Sequence, residues 1–388
     1  MEFIDSPERC QLACTKDPAC RYFVYDYDLD DCELLNSPLR KCDILRGPPE
    51  PSYDTCFNSS TTSTNKPTDK TTTTVVSTTE LTTEQPQRLV PMMVGGYGIT
   101  GLMADAEIVD PYQSDSNCLK PQDFPDSRYG MIAELFNETP LVCSGYGVGG
   151  DQEDCFTFDG EKWVPASTNL TIARRYATSI VLNDNTMWVS GGDKETSKSS
   201  SETLHIGGKF HQTSILPKAM EQHCSARIND THFFMAGNYY QQQIDAYIVR
   251  VDDNDIDKYH YTRLPSMHHQ RYGAACMVIN GTDKNDIRLL VAGGYRFDSF
   301  TTTEIYSLDT HSWQDGPTLP RGFFYGSYIQ YPNGGDFVMM GGKDDSGVIF
   351  DDFMIYNRDS GKFEVMPGNL ETGRWSFAAT LVLVRDDC

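Results

Sequence analysis

The sequence has no run of eighteen apolar residues, so no segment is built to cross a membrane as a helix. It has no hydrophobic leader either, because Met1–Asp5 reads MEFID. Basic residues are scarce: 32 Lys and Arg stand against 55 Asp and Glu in 388 residues. The resulting charge of −23 argues against nucleic acid and anionic membrane surfaces as partners, and favours a basic partner or simple solubility. Histidines are few, at His205, His211, His223, His232, His260, His268, His269 and His311, and only His268 and His269 adjoin. The acidic runs Asp26–Asp31 and Asp252–Asp257 lack the glycine and terminal glutamate of a calcium loop and read as solvated. No metal and no cofactor are expected.

What the chain does have is twelve cysteines, six before Asn58 and six after Leu89, and five Asn-x-Ser/Thr sequons, at Asn58, Asn137, Asn169, Asn229 and Asn280. Between the two cysteine sets lies SSTTSTNKPTDKTTTTVVSTTELTTEQPQ, Ser59–Gln87, with no hydrophobic periodicity and with prolines at Pro67 and Pro86. Such a segment cannot bury a core and fits an O-glycosylated tether. The expected domains are therefore a disulfide-rich module over 1–57, a mucin-like linker over 58–87 and a large domain over 88–388. Sequons and cysteines imply an extracellular, secreted protein whose signal peptide is not in this sequence.

The large domain is repetitive. An apolar run ending in Gly-Gly, or one letter from it, recurs at Gly95-Gly96, Ser144-Gly145, Gly191-Gly192, Gly237-Asn238, Gly293-Gly294 and Gly341-Gly342, in steps of 49, 47, 46, 56 and 48 residues. The long step contains Asp252–Lys258, read as an extended loop between strands three and four of the fourth unit. A second pattern follows the glycines, an aromatic, Asp and a second aromatic: Phe156, Asp159, Trp163; Tyr306, Asp309, Trp313; Tyr356, Asp359, Phe363. Its absence from units one, three and four leaves their outer strands less defined. Around Arg271–Pro317 four strand-like runs are bounded by Asn280-Gly281, Gly293-Gly294, Asp309-Thr310 and Gly316-Pro317.

A four-strand unit of this period resembles the kelch-repeat family over Leu89–Val384, which implies a mainly β fold, a kelch-type β-propeller. The first unit starts on strand two at LVPMMVGG, and Arg374–Val384 is a strand one with no double glycine after it. Strand counting thus predicts six blades, closed by the C-terminal strand as the innermost strand of blade one. In the first module, Cys10-x3-Cys14, Cys20-x2-Phe23 and Cys32-x-Leu34 resemble the PAN/apple domain, a small α+β fold. The strand that should precede Cys10 is missing, as in a truncated copy. Carried over, that resemblance implies disulfides Cys10–Cys32 and Cys14–Cys20, leaving Cys42 with Cys56; such modules bind proteins or carbohydrates, the alternative being a stapled spacer.

In the propeller, Cys143 and Cys155 fall on adjacent strands two and three of blade two, placed for a bridge. Cys118 and Cys388 fall at one end of blade one, where a bridge would lock the ring. Cys224 and Cys276 stand on innermost strands of neighbouring blades, as a pair or as two buried thiols. Asn137, Asn229 and Asn280 all lie in turns between strands one and two, which share one face, so a partner is expected on the opposite face, although Asn169 lies in a blade-to-blade link there. On that face Arg128, Arg175, Arg271, Arg321 and Arg374 recur at the entry to strand one, with His223 near the sixth place. They form either a guanidinium ring for an acidic peptide, sulfated sugar or carboxylate, or repeat architecture satisfied by carbonyls and acids.

The function expected is that of a secreted, monomeric binding or adhesion protein, with an extracellular protein or glycan as partner. Rivals are a secreted propeller enzyme, a glycosidase or a copper radical oxidase with a Cys-Tyr cross-link and two histidines, and a structural component of an extracellular coat.

Overall fold

A computed structural model describes residues 22–26, 31–35 and 87–385, apart from 115–119, 184, 241–243, 281–285, 298–299 and 333–335. Two compact units, Met1–Leu81 and Thr82–Cys388, divide within the Thr-rich segment. In the first, Tyr22–Asp26 and Asp31–Leu35 pair antiparallel. The pairings expected of its cysteines, and that of Cys118 with Cys388, fall outside the described residues, as does Asn58.

The second unit is a six-bladed β-propeller. Blade one joins Ala378–Arg385 to Gln87–Gly98 and Gly101–Ile108. Blade two holds Ile132–Phe136, Thr139–Cys143, Cys155–Phe158 and Trp163–Pro165; blade three holds Thr178–Asn183, Thr186–Ser190, Ser201–His205 and His211–Gln212. Blade four runs Cys224–Arg227, His232–Ala236, Ala246–Val251 and Tyr259–Arg263; blade five runs Ala275–Asn280, Ile287–Ala292, Thr303–Ser307 and Ser312–Asp315. Blade six runs Ser327–Gln330, Phe337–Met340, Asp352–Asn357 and Lys362–Asn369. The chain's last strand pairs with Gln87–Gly98 over eight residues, from Ala378↔Val94 to Arg385↔Gln87, closing the ring as strand counting predicted. Blades three and four have outer strands despite lacking the aromatic pattern, whereas blade one shows no fourth strand among the described residues.

Second strands read as unbroken apolar runs because blades cover both of their faces: Phe233–Ala236, Leu289–Ala292 and Phe337–Met340 are sealed from solvent. The inner strand Thr178–Asn183 alternates instead, with one face on a neighbour and one toward the central channel. The core therefore lies between blades; Phe234, Val278, Leu289, Tyr306 and Trp313 form one cluster spanning blades four and five. Tyr306 faces Trp313 and Tyr356 faces Phe363 across their hairpins, whereas in blade two the partner of Trp163 is Phe158, two residues beyond the Phe156 of the sequence pattern. The Asp252–Lys258 insertion is the loop between strands three and four of blade four.

Two disulfides lie among the described residues. Cys143 faces Cys155 within blade two, and Cys224–Cys276 ties the innermost strands of blades four and five, with Cα atoms 5.4 Å apart.

Candidate functional site at the link end of the channel

Each blade clasps the next through its double glycine. The amide of the second position donates to the carbonyl of the residue entering the next inner strand: Gly96 to Arg128, Gly145 to Arg174, Gly192 to Met220, Asn238 to Arg271, Gly294 to Phe323 and Gly342 to Arg374. At Gly293 a Cβ would stand 2.7 Å from the Phe323 carbonyl oxygen at a φ of +66°, whereas blade two carries Ser144 at this position with a φ of 67°.

Two residues past each entry position the chain turns left-handed, at Gly130, Tyr176, Gln222, Gly273, Tyr325 and Ser376, with φ between 52° and 67°. Their amides and carbonyls close a cyclic chain of six hydrogen bonds, 2.7–3.2 Å long, in which Gly130 donates to Ser376, Tyr176 to Gly130, Gln222 to Tyr176, Gly273 to Gln222, Tyr325 to Gly273 and Ser376 to Tyr325. Four non-glycine residues hold this conformation, which side chains adopt at a cost, because all six blades impose it. Tyr176 of blade three stacks on Tyr325 of blade six, its opposite across the ring, with centroids 5.5 Å apart and planes at 12°. The Tyr325 hydroxyl donates to Gln222 Oε1 at 2.6 Å. Burial pushes both phenols above their ordinary range, so they stay neutral donors.

From this pair an aromatic surface spreads outward. The residues after the entry positions include Tyr129, Tyr272, Phe324 and Trp375, and the residues after the double glycines include Tyr97, Tyr146 and Tyr295. In three blades the two sets meet as short backbone bridges, Tyr97↔Trp375, Tyr129↔Tyr146 and Tyr272↔Tyr295. With Tyr239, which crosses Tyr272 at 4.9 Å, ten rings make one connected network, and Tyr97, Tyr146 and Tyr239 are its exposed rim. Lys343 Nζ lies 3.8 Å from the Trp375 centroid, its pKa lowered by burial.

Beside the rings is an acidic corner. Arg175 stands 4.5 Å above Tyr146 and pairs with Asp193, while Lys194 reaches Asp151 at 3.0 Å. Asp151 Oδ1 and Asp193 Oδ1 are buried and accept no hydrogen bond among the described residues. Burial, reinforced by Asp193, raises the Glu221 carboxyl to about 7. The surface thus offers π faces beside the partly exposed cations Arg175 and Lys194, with buried oxygens of their carboxylate partners beneath.

The recurrent arginines do not form a ring of free guanidinium groups. Arg128, Arg271 and Arg374 are 0–1% exposed and each is held by acids of its own blade: Asp126 and Asp154, Glu304, and Asp105 with Glu107. In blade three this place belongs to Arg174, paired with fully buried Glu202, and its neighbour Arg175 is the one at the aromatic mouth. Arg321 pairs with Asp352 and lies against Phe350. His223 is buried, hydrogen-bonded to Ser190 Oγ, with its pKa depressed to about 3 by burial and by Arg174. The partner acids also fasten the links, since Glu304 accepts the amides of His268 and His269, and Glu202 those of Thr171 and Ile172. His268 and His269 thus serve a link, and the four described propeller cysteines are disulfide-bonded, leaving no thiol there for a Cys-Tyr cross-link.

At the other end the channel opens into a cavity of about 1070 Å³, whose lining includes Glu134, Ser179, Ser225, Tyr328 and Gln330. Asn137 and Asn229 stand on its rim, both exposed, in turns between strands one and two. Glu134 accepts from Ser179 Oγ at 2.8 Å, and burial raises its carboxyl to about 7.

Comparison with known proteins places this geometry. The PAN domain profile matches residues 1–60 and the Kelch motif profile matches residues 270–320. Among solved structures the chain is similar to YjhT, with a TM-score of 0.58 and 14% sequence identity over 73% of this chain and 99% of that one. At that identity the likeness carries the fold alone, and 321 solved chains match, so the fold by itself selects no activity. Curated protein sequences give no match.

Proposed function

Since the chain is a kelch-repeat propeller with a PAN domain at residues 1–60, we propose that it is a secreted, monomeric recognition protein that binds its partner on the aromatic mouth at the link end. A kelch propeller serves in general as a scaffold for interactions, and the connected sheet of ten rings is the observation that carries the reading further. Flat aromatic faces beside the partly exposed Arg175 and Lys194 suit a glycan, whose C–H faces stack on the rings while its hydroxyls meet the charged side chains at the rim. Secretion is supported by the PAN match, by the disulfides, and by exposed sequon asparagines at Asn137, Asn169 and Asn229. Asn137 and Asn229 rim the opposite mouth, so glycans there would leave the link end clear.

The test is a glycan and extracellular-protein array probed with the full chain, beside Tyr146→Ala and Tyr239→Ala. Ligand binding should fall at least tenfold in both variants while the melting curve stays within a few degrees. Binding that ignores both substitutions but is lost on Glu134→Gln moves the site to the turn-end cavity and sinks the proposal. Capture of a protein rather than a glycan, with the same sensitivity, keeps the site and changes the partner class.

A further inference from the structure

Outside the mouth, the outer edge of blades three and four holds an arrangement the recognition reading does not use. His205 ends the third strand of blade three and His211 begins the fourth, while Asp257 comes from the acidic insertion of blade four. His205 Nε2 and His211 Nε2 approach the same oxygen, Asp257 Oδ1, at 2.8 and 2.9 Å. One ligand atom from each of the three residues falls within 4.8 Å of the others.

The far nitrogens are also engaged. His205 Nδ1 lies 3.2 Å from Thr186 Oγ1, and His211 Nδ1 lies 3.2 Å from the Lys209 carbonyl oxygen. A carbonyl only accepts, so Nδ1 of His211 donates to it, and Nε2 is the ring nitrogen turned to the Asp257 carboxylate. Both Nε2 atoms thus converge on one carboxylate oxygen, a contact that either a ring proton or a bound metal ion satisfies. Outer hydrogen bonds that aim imidazole Nε2 at one point are the usual support of a metal-binding histidine. The insertion that carries Asp257 is itself braced, since the Asp252 amide donates to the Lys258 carbonyl, the Lys258 amide to the Asp255 carbonyl, and Asp252 pairs with His260.

We propose that His205, His211 and Asp257 bind a divalent metal of the zinc type, clasping the blade-four insertion to blade three. Two imidazoles and one carboxylate suit Zn²⁺ and disfavour calcium and magnesium, which prefer all-oxygen sites. Bond lengths of about 2.0–2.1 Å put tetrahedral ligands about 3.3 Å apart, so each His–Asp distance opens by about half an ångström on loading. All three side chains are partly exposed, which leaves the fourth position to water or an incoming ligand.

Full-length protein stripped with a chelator and titrated with ZnCl₂ in a calorimeter gives the test, beside His205→Ala, His211→Asn, Asp257→Asn and, as a control, His268→Ala. The wild type and His268→Ala should share a tight event of one Zn²⁺ per chain that each of the other three loses or weakens at least tenfold. Saturating Zn²⁺ should raise the melting temperature of the same two proteins by about 3–5 °C and leave the three variants unmoved. His211 is the more exposed ligand, and its variant decides if His205→Ala fails to fold. A wild type that binds no Zn²⁺, or binding unchanged in His211→Asn, overturns the proposal.

Discussion

The two ends of the central channel are built from the same six inner strands and have opposite characters. At the link end, six left-handed residues close a hydrogen-bonded ring, and two tyrosines from opposite blades stack across it. At the turn end the strands splay into a cavity of about 1070 Å³ with a buried carboxyl in its wall and sequon asparagines on its rim. The ring of left-handed turns belongs to the link end, where each strand one must swing from the blade edge to the axis; at the turn end short hairpins suffice. Closure concentrates rigidity and aromatic surface at one end and leaves solvent space at the other.

The sharpest way to break the comparison is to attack the layer of arginines beneath the ring. Arg271→Ala leaves Glu304 buried without its charge partner and should cost about 3–5 kcal/mol in urea unfolding. Arg175→Ala, at the half-open surface, should cost less than about 1 kcal/mol. Equal costs would mean that the buried layer and the surface are not distinct in the way the geometry implies.

Next come the disulfides, which bear on the channel wall. Cys224–Cys276 closes a loop of 52 residues between blades, and Cys143–Cys155 one of 12 within a blade. Chain-entropy reasoning gives about 4 kcal/mol for the first and about 3 for the second, measured on the double serine variants. Reversal of that order would show that the inner wall tolerates separation of blades four and five.

These contrasts were unequally legible in the sequence. The double glycines fixed blade number, and the unpaired first and last strands predicted the closure at Ala378↔Val94, because both follow from backbone hydrogen bonding. The recurrence of arginine was equally visible, but its meaning was not: Arg174 and Arg175 look alike in the sequence, and only packing shows one under Glu202 and the other on Tyr146. The partner acids Glu107, Glu202 and Glu304 sit on third strands, far from their arginines in the chain. The aromatic mouth had a signal, since Arg128-Tyr129, Arg175-Tyr176, Arg271-Tyr272 and Arg374-Trp375 repeat an arginine followed by a ring. Those rings come together only when the left-handed ring gathers all six links on one axis. The His205, His211 and Asp257 group was illegible because its spacing crosses two blades.

At the turn end the prediction is a pH effect. Glu134 has a carboxyl raised to about 7 from an ordinary value of 4.5, so its ionisation opposes folding. The penalty is absent below pH 4.5, grows as pH rises toward 7 and is complete above it. Glu134→Gln should therefore stabilise the propeller by about 1–3 kcal/mol at about pH 8 and leave it unchanged at about pH 4. A gain of equal size at both pH values would trace the effect to packing and remove the carboxyl from the comparison.

The smallest effect probes whether the link end is closed by backbone or by side chains. Tyr325→Phe removes only the hydroxyl that donates to Gln222 Oε1, and keeps the stack on Tyr176. The lost bond should cost about 1 kcal/mol, since Gln222 can turn to solvent at the mouth. Hydrogen exchange separates this from the ring itself: the amides of Gly130, Tyr176, Gln222, Gly273, Tyr325 and Ser376 bond to one another and not to any phenol. They should exchange as slowly in Tyr325→Phe as in the wild type, because opening any one of them requires two blades to part. Fast exchange of all six in the variant would mean that the phenol holds the ring shut, and the backbone closure would then be a consequence of the aromatic mouth instead of its foundation.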